Sequence, residues 1–181
     1  MSIPSLSLDV LHTALHADSF WIRQLEQLQH AETGASALHL AILVNPYLER
    51  ILNGRKTIES RFSVQRRVPY QQIQKGDVVL LKRSGGPILG IGLVDEAMFF
   101  QLTPSVLTTI QIKYADELGI DDPNFWSERA NAAYGTLTRL SHVRRLPPIS
   151  FVKRDQRAWI VLQNRVLQSY LIPTHAHSAA D

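Results

Sequence analysis

At 181 residues and 45% hydrophobic side chains, the chain suits one domain with an extension and can bury a real core. It has no cysteine, which excludes disulfides, thiolate metal sites and a cysteine nucleophile. No apolar run approaches the roughly 18 residues of a membrane span and no secretory leader is evident, so a cytoplasmic protein off the membrane is expected.

The net charge is only +3, but it is unevenly spread. Residues 49–67 carry six basic and two acidic side chains, and residues 139–157 carry six and one. Between them, residues 95–128 carry seven acidic side chains against Lys113. If the two basic segments meet in space, they make a surface suited to phosphates.

In chain order, residues 1–7 are rich in Ser and Pro and read as loose. Leu8, Leu11, Leu15, Ile22, Leu25 and Leu28 recur at helical spacing, which predicts a helix over residues 8–30. Ala31–Ser36 then reads as a linker with Gly34 as breaker. This extension, residues 1–36, either packs on the main domain or presents a face to a protein partner. The main domain, residues 37–165, opens with the buried-strand pattern Leu38–Val44. Asn45 suits a helix N-cap, Pro46 the first helical position and Gly54 the stop, with Tyr47, Leu48, Ile51 and Leu52 on one face.

Lys75-Gly76-Asp77 reads as a turn. Val78–Lys82 and Ile88–Val94 read as strands joined through Ser84-Gly85-Gly86-Pro87, and Gly90 and Gly92 mark a tight bend. Pro104–Leu118 and Pro123–Ala133 read as helical. Leu137, Leu140, Val143 and Leu146 read as short strands or turns, and Phe151-Val152 and Ala158–Leu162 complete the sheet. Residues 166–181 form a C-terminal tail. Together these elements predict an α+β fold, a small β-barrel with helices around it.

The densest polar chemistry is Gly54-Arg55-Lys56-Thr57-Ile58-Glu59-Ser60-Arg61. With Gly54 ending the helix, Glu59 and Arg61 fall on one face of a strand, and the fold must bring Lys56 round. Arg61 can then hold Glu59 through a charge-assisted bond, while Lys56 faces a phosphate or a developing oxyanion. A carboxylate there can also accept from the exocyclic amine of a base. The bland alternative is an ion-pair network that pins the helix to the barrel. Lys82-Arg83-Ser84 beside the glycine turn is a phosphate candidate. Arg157 and Trp159 alternate along a strand. His12 and His16 have zinc spacing but no companion ligand, and His175 and His177 fall in the tail, so neither metal nor cofactor is expected.

The octapeptide resembles the ASCH-domain motif Gly-x-Lys-x-x-Glu-x-Arg, with Gly54, Lys56, Glu59 and Arg61 at the four fixed positions. The preceding strand and Asn45-Pro46-Tyr47 helix, and the following Lys75-Gly76-Asp77-Val78-Val79, resemble that family too, over roughly Leu38–Leu162. The resemblance implies a PUA-like barrel that recognises RNA, nucleotides or modified nucleosides. Some small family members are amidohydrolases that deacetylate acetylated cytidine, and others bind or cleave RNA. The hydrolases use a lysine and a threonine here, with a glutamate farther along. Lys56 matches the lysine, Glu59 stands at the threonine position, and Glu117 is the candidate for the distal glutamate. The candidate catalytic residues are therefore Lys56, Glu59 and Glu117. Asn45, Arg55, Arg61, Lys82, Arg83, Ser84 and Arg154 are the candidates for holding RNA or a nucleoside. The leading expectation is RNA or modified-nucleoside binding. The alternatives are an amidohydrolase or ribonuclease, and an interaction module built on the N-terminal helix.

Overall fold

The computed structural model describes residues 6–29, 36–152 and 156–165. Arg154, the linker's centre and the tail from residue 166 lie outside them. In chain order the elements are α1 (Leu8–Ala14), α2 (Ser19–Gln29), β1 (Leu38–Leu43), α3 (Tyr47–Leu52), β2 (Ile58–Ser63), β3 (Val78–Arg83), β4 (Ile88–Gln101), α4 (Pro104–Lys113), α5 (Ala115–Leu118), a 3₁₀ turn (Ser127–Arg129), β5 (Tyr134–Ile149) and β6 (Trp159–Gln163).

The strands form one mixed sheet in the order β2-β5-β4-β3-β1-β6. All pairs are antiparallel except β1 with β3, whose connection passes through α3 and β2. The sheet curls into a half-barrel whose edge strands, β2 and β6, face one another across an opening. Arg61 bridges that opening. Its Nη2 donates to the Ile42 carbonyl of β1 at 2.9 Å, and its guanidinium lies 5.3 Å from the centre of the Trp159 ring of β6.

The central strands are buried on both faces, which is why they read as near-continuous apolar runs, interrupted in β1 by His39. Leu38 and Leu40 of β1 and Val78 and Leu80 of β3 point to one core, shared with Leu11, Leu15, Trp21, Leu25 and Leu28 of the N-terminal segment. Ala41, Leu43, Val79 and Leu81 point to the other, inside the curl, with Leu48 and Ile51 of α3 and Trp159. A third cluster sets Ile110, Tyr114 and Leu118 against Ile58 and Leu137, so α4 and α5 cover β2 and β5.

Several elements differ from the sequence expectation. The helix expected over residues 8–30 is two helices, because Asp18 accepts from the backbone N–H groups of Phe20 and Trp21 and starts a new one. Pro46, not Asn45, holds the cap position of α3, without a side-chain cap bond, and the Asn45–Pro46 peptide is cis. The helix expected over Pro104–Leu118 is interrupted at Tyr114, and Pro123–Ala133 holds only the 3₁₀ turn. Phe151 and Val152 lie outside the strands, Phe151 buried.

β4 and β5 are far longer than expected. Register shifts along their pairing break the period-two alternation that a sequence pattern relies on, and let the long ribbon bend. Gly90 sits where a Cβ would come within 2.4 Å of Leu52 Cδ2 and 3.1 Å of the Arg144 carbonyl, so its missing side chain lets α3 lie close against β4.

Candidate functional site

The half-barrel's opening is a cleft of about 590 Å³. Its floor comes from the end of β1 (Ile42–Val44) and from Glu59–Phe62 of β2; Lys82, Ser84 and Gly85 of the β3–β4 hairpin and residues 156–158 before β6 form one side. Tyr47, Phe125 and Arg129 close the other.

The octapeptide builds the floor. Gly54, at φ +78°, ends α3 in a left-handed conformation that glycine adopts without strain. The chain then turns into β2, where period-two alternation puts Glu59 and Arg61 on the face turned into the curl. Lys56 is brought round by α5: its Nζ donates to the Leu118 carbonyl at 2.9 Å. The same Nζ lies 3.6 Å from Glu59 Oε2, and Arg61 Nε lies 3.1 Å from Glu59 Oε1. Glu59, only 6% exposed, is thus flanked by two cations at the cleft floor. Burial pushes the Lys56 ammonium below the usual lysine range, with Glu59 opposing the shift. Lys56 Nζ also lies 5.7 Å from the centre of the Tyr47 ring. Burial raises the Tyr47 phenol, aided by nearby Asp122, so its hydroxyl keeps its proton at neutral pH.

The two basic segments meet here in part, through Lys56 and Arg61 of the first and Arg157 of the second. Among the described residues, Lys56, Arg61, Lys82, Arg129 and Arg157 line the cleft against one carboxylate, that of Glu59. The acidic segment neutralises basic side chains elsewhere: Asp121 holds Arg50, and Glu96 and Glu117 hold Arg139. One wall is aromatic. Tyr47 and Phe62 each meet Phe125 edge-on at 6.2 Å, and Arg129 stacks over Phe125 at 3.5 Å.

Of the expected site residues, Lys56, Glu59, Arg61, Lys82 and Ser84 line this cleft. Lys82 is buried and its Nζ donates to the carbonyls of Arg83 and Gly86, bracing the hairpin turn. Glu117 does not line it: Arg139 takes its carboxylate, while its backbone carbonyl accepts from Thr57 N. Arg55 lines a separate hollow of about 280 Å³ with Arg50 and Asp121. Asn45 and Arg83 lie outside the cleft lining, Arg83 tucked under Gly86. Sequence reasoning missed Tyr47, Phe62, Phe125 and Arg129 as site residues, since each reads as an ordinary core or surface position and only the fold gathers them. No group of three or more His, Asp or Glu among the described residues is placed to hold a metal. No helix among them is long and apolar enough to cross a membrane.

Behind the cleft lies a buried polar chain that the sequence did not reveal. Trp159 Nε1 donates to His39 Nδ1 at 3.2 Å, and His39 Nε2 then donates to Asp77 Oδ2 at 3.1 Å. Asp77 also accepts from the backbone N–H groups of Ala37 and Gln74, both at 2.8 Å, and from Arg165. Burial pushes the Asp77 carboxyl up, but the bonds from His39, Arg165 and the two amides outweigh it and hold it below its ordinary value.

No family model and no curated protein matches the chain. Solved structures do. The crystal structure of ASCH from Zymomonas mobilis superposes with a TM-score of 0.51 at 16% identity, covering 62% of this chain and 73% of that one. A single-residue variant of the same Zymomonas mobilis protein superposes at 0.57 with 14% identity, covering 70% and 89%. The chain has an ASCH-type fold. In it, the β2 segment that carries the motif is the edge of the half-barrel, and the motif's arginine ties that edge to β1 and β6.

Proposed function

We propose that this ASCH-type chain binds RNA or a modified nucleoside in the cleft between its sheet edges. The observation that carries the reading is the composition of that cleft: among the described residues, five cations, one carboxylate and three aromatic rings around about 590 Å³. That volume is in the range of small-ligand sites. Aromatic faces stack bases with little regard to sequence, at about 1–3 kcal/mol per base. Cations answer phosphates, and Glu59 accepts from an exocyclic amine.

The test is fluorescence anisotropy of a short labelled RNA strand across a salt series. Each phosphate contact is expected to contribute about 0.7 log units of affinity per log unit of salt. Phe62→Ala, at the half-buried ring of the cleft wall, is expected to weaken binding by about tenfold through lost stacking. Undetectable or salt-insensitive binding sinks the reading.

A second reading, hydrolysis of an N-acylated cytidine-like nucleoside, draws on Lys56. A buried lysine with a depressed pKa, paired with a carboxylate in an open cleft, is the kind of perturbed group catalysis uses. Glu59 would activate water and Lys56 would stabilise the oxyanion. Incubation with N4-acetylcytidine, read by chromatography, is expected to yield cytidine and acetate, with a loss of about 100-fold or more in Lys56→Ala. No product at high enzyme concentration removes that substrate.

A further inference from the structure

The basic surface does not end at Phe62. Along β2, Glu59 pairs with Thr138, Arg61 with Thr136 and Ser63 with Tyr134 of β5. Alternation puts these pairs on one face, so Tyr134 stands at the end of the file that begins with Glu59 in the cleft. Its ring is held edge-on by Tyr70 at 5.1 Å, and Tyr70 is braced by Phe99 at 5.6 Å. The Arg66 guanidinium lies over the Tyr134 ring at 5.3 Å.

Arg66 and Arg67 are exposed, and neither pairs with a carboxylate among the described residues; Arg67 reaches only the Gln65 side chain. Other arginines of the two basic segments behave differently. Arg50, Arg139, Arg144 and Arg145 are each taken by an aspartate or glutamate. Two cations are therefore left at the end of the cleft's own strand, one stacked on a braced ring.

We propose that Arg66, Arg67 and Tyr134 form a ridge that takes the nucleotides adjoining the one in the cleft. The partner is then a single-stranded RNA several nucleotides long, not a free nucleoside. This rests on the cleft binding a nucleic-acid ligand, as proposed above. A guanidinium stacked on tyrosine offers a flat cationic face to an unstacked base, and its neighbour answers a phosphate. Bases of a duplex are stacked and paired and cannot present their faces in this way.

The experiment compares cytidine monophosphate, a mixed-sequence octaribonucleotide and its duplex across a salt series, with wild type and the Arg66→Ala/Arg67→Ala double variant. Both positions are exposed, so an unchanged melting curve serves as the fold control. Wild type is expected to bind the octamer at least about tenfold tighter than the mononucleotide. The double variant is expected to lose most of that ratio, and its salt slope for the octamer is expected to fall by about 0.7, the share of the one phosphate contact. A mononucleotide bound as tightly as the octamer overturns the ridge while leaving the cleft reading intact. So does a double variant with the wild-type slope, or a duplex that binds as well as the single strand. Failure of every ligand to bind wild type overturns both.

Discussion

Asp77→Ala is expected to destabilise the fold by about 3–5 kcal/mol, the cost of removing one member of a buried charged pair. Asp77 is fully buried and accepts from two backbone amides, His39 and Arg165. Its loss leaves two interior donors, the Ala37 amide and His39 Nε2, without an acceptor and unsettles the His39–Trp159 contact behind the cleft. For a chain of this size each kcal/mol lowers the melting temperature by about 2–4 °C. The same residue sets a pH dependence. Its carboxyl is held below the ordinary 3.8. A depressed folded-state pKa contributes stability that is fully present above the unfolded value and is lost as pH falls through the folded one. Wild type is therefore expected to lose stability as pH drops below about 4, and Asp77→Asn to lack that component of the loss. Thermal melts of the three proteins between neutral and acid pH decide it. An Asp77→Ala variant that melts within about 1 °C of wild type sinks the account.

Deletion of residues 1–36 is expected to abolish cooperative folding. Leu11, Leu15, Trp21, Leu25 and Leu28 are each at most 5% exposed and share one core with Leu38, Leu40, Val78, Leu80 and Ile91 of the sheet. At about 1.5–3 kcal/mol for each buried side chain, these five contribute on the order of 8–15 kcal/mol. That equals the whole net stability of a typical domain, about 5–15 kcal/mol. The deletion would also expose a continuous apolar sheet face. The milder Trp21→Ala is expected to cost about 3–5 kcal/mol, and it also removes the Nε1–H bond to the His142 carbonyl. A truncated chain with a single cooperative melt and a dispersed amide spectrum would show instead that the extension is separable, free to serve as an interaction element.

What was legible in the sequence was mostly local. β1 and β3 announced themselves as near-continuous apolar runs because both faces are buried. The hairpin turn and the stop at Gly54 were legible because glycine is placed where the backbone needs it. Long strands were not. β4 runs on through Asp95 and Glu96, which pair at the surface with Lys75 and Arg139, and its bulges hide the alternation. The break between α1 and α2 depends on Asp18 turning its side chain to the backbone, and an apolar stripe cannot report that choice.

The octapeptide shows the same division. Its residue types and spacing by themselves determined that a strand beginning after Gly54 carries Glu59 and Arg61 on one face, because alternation is a property of the extended backbone. Tertiary structure decided what that face meets. Curling the sheet set Arg61 over Trp159 and beneath the cleft, and the α5 carbonyl drew Lys56 in beside Glu59. It also sorted the remaining charges: Lys82 and Arg157 reached the cleft, while Glu117 went to Arg139 and Arg55 to another hollow. No sequence pattern encodes that sorting. The partners lie tens of residues apart, and their pairing depends on how far the sheet curls before its two edges meet.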